Sequence, residues 1–191
     1  MVTSMRNQIL ATVIAVFALF QPAFSAELGE DGLHKEPWFA VTFKDMKEDL
    51  ETAHKQGKRL VIFIEQRGCI YCAKMHKEVL SDPKIANYIR EHFVAVQMNM
   101  FGDVEVTDFD GKVLPEKEMV RRWNALYTPT LLFMPETAPA SGTAAQAAVS
   151  TMPGAFGKST TLHMFQWVFE KGYEGEEHFQ KYHARKLNAG Q

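Results

Sequence analysis

Leu60-Val61-Ile62-Phe63-Ile64-Glu65-Gln66-Arg67-Gly68-Cys69-Ile70-Tyr71-Cys72 is the stretch from which the rest of the chain can be read. The unbroken apolar run Leu60 to Ile64 suits a strand buried on both faces. Glu65 to Gly68 makes a short polar connection, and a helix is expected to start at Cys69, with Met75, Val79 and Leu80 among its apolar positions. The chain holds no cysteines besides Cys69 and Cys72. A structural disulfide framework would spread several cysteines along the chain. A bridge across so small a loop removes little chain entropy, so the pair points to chemistry rather than stapling.

A Cys-X-X-Cys unit opening a helix has a specific use. The first helical turn presents unpaired N–H groups and a partial positive charge, both favouring thiolate at Cys69. In such motifs the nucleophilic thiol falls to roughly 3.5–7.5; Arg67 and Lys74 would push the same way. Cys72, one turn inside, keeps its proton longer. Cys69 then attacks a substrate disulfide, and Cys72 resolves the mixed disulfide. Zinc sites also use this spacing but normally add a second ligand pair, which is lacking here. Helical spacing puts His76 near the face of Cys69 and Cys72. His76 is either a third ligand for copper or zinc, or a solvent-facing histidine on the same helix, which the lack of a fourth ligand favours.

Outward from this stretch, Thr42 with Asp45 resembles a capping box, followed by Phe43, Met46, Leu50 and Ala53 at helical spacing and by Gly57 after the helix end. Ser81-Asp82-Pro83 starts another helix with Pro83 in its first position. Phe93 to Met100 is a strand. Val104–Val106 and Lys112–Leu114 flank Asp110-Gly111 as a small hairpin. Pro115 to Trp123 is helical and Thr130 to Met134 a strand. Pro135 to Ala148 is a loose connection, Gln146 to Thr151 an antiparallel edge strand, Ser159 to Lys171 a helix, and the residues after Gly172 a charged tail with helical character. Strands alternating with helices predict an α/β layer fold with a central mixed sheet.

The 191 residues are 46% hydrophobic and 23% charged, as expected of a folded globular protein, and the net charge of −2 offers no basic excess for nucleic acid. Arg6, the apolar run Ile9 to Phe20, Pro22 and the small residues around Ala23, Ser25 and Ala26 have the layout of a cleavable export signal. Residues 1–25 are therefore expected to be removed in the periplasm. An uncleaved anchor is the alternative, although the run falls short of the roughly 20 residues a spanning helix needs.

With Cys69-Ile70-Tyr71-Cys72 after a strand, and Thr128-Pro129-Thr130-Leu131 ahead of another 57 positions after Cys72, the chain resembles the thioredoxin superfamily from about Phe39 to Tyr173. Phe63-Ile64-Glu65-Gln66, Cys69 to His76, Val79 to Pro83 and Gly102 to Gly111 resemble the SoxW family of periplasmic thioredoxins associated with bacterial sulfur oxidation. The resemblance implies a thioredoxin fold with an insertion (Phe101 to Leu114) after the third strand region. It also implies a cis Pro129 against the cysteines, and substrate binding by Thr128, Pro129 and Tyr71. It further implies a reducing role toward periplasmic thiols of the sulfur-oxidising machinery, keeping them out of disulfides, with electrons from a membrane donor. The chain departs from thioredoxin where Ile70-Tyr71 replaces Gly-Pro, Gly68 a Trp, Phe63 a buried acid, and Gln97 the lysine that interacts with that acid. The usual proton acceptor for Cys72 is thus missing; Glu65 is either a substitute proton relay or a solvated residue at a strand end.

The expected organisation is a signal peptide (1–25), an N-terminal extension (26–41), a thioredoxin-like domain (42–173) and a C-terminal tail (174–191). The expected activity is that of a monomeric protein-disulfide reductase needing no cofactor beyond the Cys69–Cys72 disulfide and no metal. Its partners would be disulfide-containing periplasmic proteins. The alternatives are a disulfide oxidase or isomerase, for which residues 27 to 41 look too short as a dimerisation module, and a copper-binding metallochaperone using Cys69, Cys72 and His76.

Overall fold

The computed structural model describes residues 26–190; the expected signal segment lies outside them. A two-stranded hairpin, β1 (Glu27–Leu28) and β2 (His34–Lys35), comes first. Then follow α1 (Met46–Lys55), β3 (Arg59–Glu65), α2 (Ile70–Lys74), a π-helical run (Met75–Leu80), α3 (Pro83–His92) and β4 (Phe93–Asn99). The hairpin β5 (Glu105–Thr107) and β6 (Val113–Pro115) leads to α4 (Glu116–Arg122), β7 (Thr130–Phe133), the short α5 (Ala144–Ala147) and β8 (Ser150–Pro153). The chain closes with α6 (Lys158–Phe169), a 3-10 turn and α7 (Phe179–Asn188).

The central sheet runs β4-β3-β7-β8, with β3–β4 parallel and β3–β7 and β7–β8 antiparallel. This is the mixed sheet expected from the alternation of strands and helices. All seven residues of β3 are buried, as an unbroken apolar run demands. The period-two alternation of strand side chains sorts them. Val61 and Phe63 join Met75, Val79, Leu80, Ile89, Phe133 and Phe165 on one face. Leu60, Ile62 and Ile64 join Met46, Leu50, Val106, Met119 and Trp123 on the other. Phe165 centres the first layer, its ring 4.8 Å from Phe93 and 5.0 Å from Phe133. Among the described residues no helix is long and apolar enough to cross a membrane.

Several local expectations shift. The cap of α1 is Asp45, whose carboxylate accepts from the Lys47 and Glu48 amides. Thr42 instead donates to Asp49, and Phe43, outside the helix, is exposed. Gly57 does follow the helix, at φ +68°, a conformation open to glycine at little cost. The stretch 135–148 is not wholly loose: Thr143 and Gln146 form a capping box that nucleates α5. The edge strand accordingly starts later, at Ser150.

Candidate active site

The strand β3 delivers the chain to the site. Its last residue, Glu65, is followed by a tight turn in which Gly68 takes φ +71°. A Cβ there would meet nothing within 4 Å, so the backbone angle, not crowding, selects glycine. Cys69 then caps α2: its Sγ accepts from the Cys72 amide at 3.0 Å. Cys69 and Cys72 form a disulfide with Cα atoms 5.2 Å apart. Cys72 is the more deeply enclosed, 2% exposed against 8% for Cys69, so Cys69 is the more accessible sulfur. Ile70 and Tyr71, between them, are exposed.

The Thr128–Pro129 peptide is cis and closes the other side. Thr128 Oγ1 donates to Cys69 Sγ at 3.4 Å, and the Thr128 carbonyl oxygen lies 3.6 Å from the same sulfur. The Pro129 carbonyl accepts from Gly154 N at 2.6 Å, so β8 holds the proline loop in place. Tyr71, Leu126 and Tyr127 are all exposed and stand beside the two halves of the site in sequence. Of the two cations expected to favour the thiolate, Arg67 donates to the Glu30 and Asp31 carbonyls of the N-terminal hairpin, and Lys74 faces Glu78 at 4.0 Å.

His76 is neither solvent-facing nor arranged as a third ligand to the cysteines. It is buried, with Nδ1 2.8 Å from Glu36 Oε1 and Nε2 2.9 Å from Glu65 Oε1. Both ring nitrogens are thereby taken. Among the described residues no group of three or more His, Cys, Asp or Glu side chains is placed to hold a metal. Burial alone would push the imidazole down; the hydrogen bonds to Glu36 and Glu65, and their charges, outweigh it and raise His76 to about 9.

Glu65 is likewise buried rather than solvated. The reason is the strand period: Glu65 lies two residues beyond Phe63 and so points to the same face. Phe63 itself belongs to the aromatic layer. The second Glu65 oxygen accepts from Gln97 Nε2 at 2.5 Å. Gln97 in turn donates to the His34 carbonyl and accepts from Lys35 Nζ, each at 2.7 Å. Sequence reasoning did not single out Glu36 or Lys35, because no local pattern marks them; their partners lie 40 and 62 positions away.

The model for the thioredoxin-like domain matches residues 46–146, more than half of the chain. The chain belongs to the thioredoxin-like family. Among solved structures, this family member is similar to a thioredoxin-fold protein from Helicobacter pylori, with 19% identity and a TM-score of 0.59 over 80% of this chain and 93% of that one. It is also similar to a thioredoxin from Thermus thermophilus, with 25% identity and a TM-score of 0.51 over 67% and 86%. No curated protein matches it. Glu36 and Lys35 stand before the part that the thioredoxin-like model covers, so the segment completing the buried cluster is additional to the matched domain.

Proposed function

We propose that this thiol–disulfide oxidoreductase is an exported protein-disulfide reductase working in the periplasm, fed by a membrane electron donor. In this reading Cys69 attacks the substrate disulfide and Cys72 resolves the mixed disulfide. Thr128, Pro129 and Tyr71 bind the substrate chain, and Glu65 relays the proton that Cys72 gives up. The protein acts as a monomer. The resemblance to the SoxW family directs the reductase to thiols of the sulfur-oxidising machinery. The observation that carries the reading is the reactive arrangement itself, Cys69 at a helix start with its sulfur against Thr128 and the cis peptide, and Cys72 enclosed behind it. An enclosed resolving thiol cannot be reached by bulky partners, which favours attack at Cys69.

The deciding measurement is the reduction potential of the couple, by redox titration against glutathione or dithiothreitol. A potential near about −270 mV supports the reductase, and one near about −120 mV replaces it with a disulfide oxidase. Cys72→Ser should accumulate mixed disulfides with periplasmic proteins, seen as adducts on non-reducing gels, and Cys69→Ser should form none. Normal turnover by Cys72→Ser would overturn the assigned roles.

A further inference from the structure

Glu36, Glu65 and His76 are each at most 6% exposed. Taking charges out of water is costly, and replacing a buried ion cluster by apolar side chains of the same volume is often neutral or stabilising. Packing alone gives little reason for charges here. Both His76 nitrogens face carboxylate oxygens, an arrangement that a ring with two N–H groups and a positive charge satisfies in full.

Three features set this cluster beside the redox pair. His76 follows Cys72 by four residues on the run in which α2 passes into the π-helical segment, a spacing of about one turn. Glu65 ends the strand that feeds the turn into Cys69. The ring of His34, 5.1 Å from that of His76, belongs to a residue lining a cavity of about 540 Å³ whose wall includes Cys69, Arg67 and Leu28. We propose that the N-terminal segment is a working part of the redox centre: Glu36, through His76, positions the Glu65 carboxylate behind the active-site helix, and this triad is electrostatically coupled to the Cys69–Cys72 pair. The inference rests on the oxidoreductase reading above.

The sign of the coupling follows from the chemistry. A donor dithiol breaks the Cys69–Cys72 bond and leaves as its own disulfide, handing over two electrons. Cys69 remains as thiolate and Cys72 as thiol, one donor proton going to Cys72 and the other to solvent. The reduced pair thus carries one more negative charge than the disulfide. That charge favours the His76 imidazolium, and linkage requires His76 to favour the reduced pair equally. The other charged or titratable groups facing the triad are His34 from β2, and Lys35, which reaches it through Gln97 of β4 and also pairs with Asp31. On the helical run itself Lys77 and Glu78 point outward.

The test follows the His76 imidazole by NMR through a pH titration of the purified protein, once oxidised and once reduced with dithiothreitol. We expect His76 to titrate at least about threefold higher in proton affinity, half a pH unit, in the reduced state. Glu36→Gln should lower the titration in both states, and His76→Gln should flatten the pH dependence of the potential between about pH 8 and 10. Identical His76 titrations in the two states would overturn the coupling even if the protein reduces disulfides normally. A redox-dependent titration in a protein that turns over no protein disulfide would instead remove the proposed function.

Discussion

An unfolded histidine titrates near 6.5, whereas His76 in the folded chain is raised to about 9. A raised histidine contributes stability that is fully present below its unfolded value and is lost as pH climbs through the folded one. With the disulfide kept intact, urea denaturation should therefore show stability falling from about pH 6.5 to above pH 9, by roughly 3 kcal/mol. The loss should vanish in His76→Gln, whose baseline stability is expected to be lower. A flat profile in the parent protein would mean that the imidazole is neutral. At this scale the cysteines were legible from their own spacing, and Pro129 only from its place after the Cys-X-X-Cys pair in the resemblance. Glu65 could be singled out but not placed. Whether it met water or His76 depended on Glu36, which arrives from 29 positions earlier in the sequence.

Among the elements, the hairpin β5–β6 shows how an addition is tied to a sheet it does not join. Val106 and Phe109 are buried in the second layer, and the Thr107 amide donates to the Lys44 carbonyl. Asp108, fully buried, accepts from Arg122, from Trp123 Nε1 at 2.8 Å and from the Ala144 amide at 2.8 Å. One carboxylate thus joins the hairpin, α4 and α5. Asp108→Ala should leave the Trp123 indole and the Ala144 amide without their acceptor, while Arg122 keeps Asp110, costing about 1–3 kcal/mol for each stranded donor in urea denaturation. A cost below about 1 kcal/mol would show that the hairpin is held by its apolar contacts alone. The hairpin itself was legible from Asp110-Gly111 between two short apolar runs. Its anchoring was not, since nothing around Asp108 distinguishes it from a loop aspartate. The capping of α1 was misplaced by three residues for a related reason: Thr42 and Asp45 are both good caps, and the helix takes the one next to Met46, whose side chain the core buries.

Over the described residues, the sheet is covered on one face by the π-helical run, α3 and α6, and on the other by α1, α4 and the hairpin. The tail continues the first layer. Tyr182 of α7 is buried and donates to Glu170, and Trp167 of α6 donates to the Glu177 carbonyl at 3.0 Å. Tyr182→Ala should lower stability by about 3 kcal/mol in thermal unfolding. An unchanged midpoint would show that α7 docks without contributing to the core. The mixed sheet, the redox pair and the order of elements follow from patterns a few residues long: apolar runs, caps, turn residues and the Cys-X-X-Cys spacing. These act through local sterics and side-chain periodicity, which are already present before the chain folds. The raised titration of His76, the burial of Glu65 and the contacts of the N-terminal segment with both follow only once β2, β3, β4 and the helix after Cys69 are packed together. Their energies come from desolvation and from charges brought within hydrogen-bond distance across tens of residues, and neither exists until water has been excluded from between those elements.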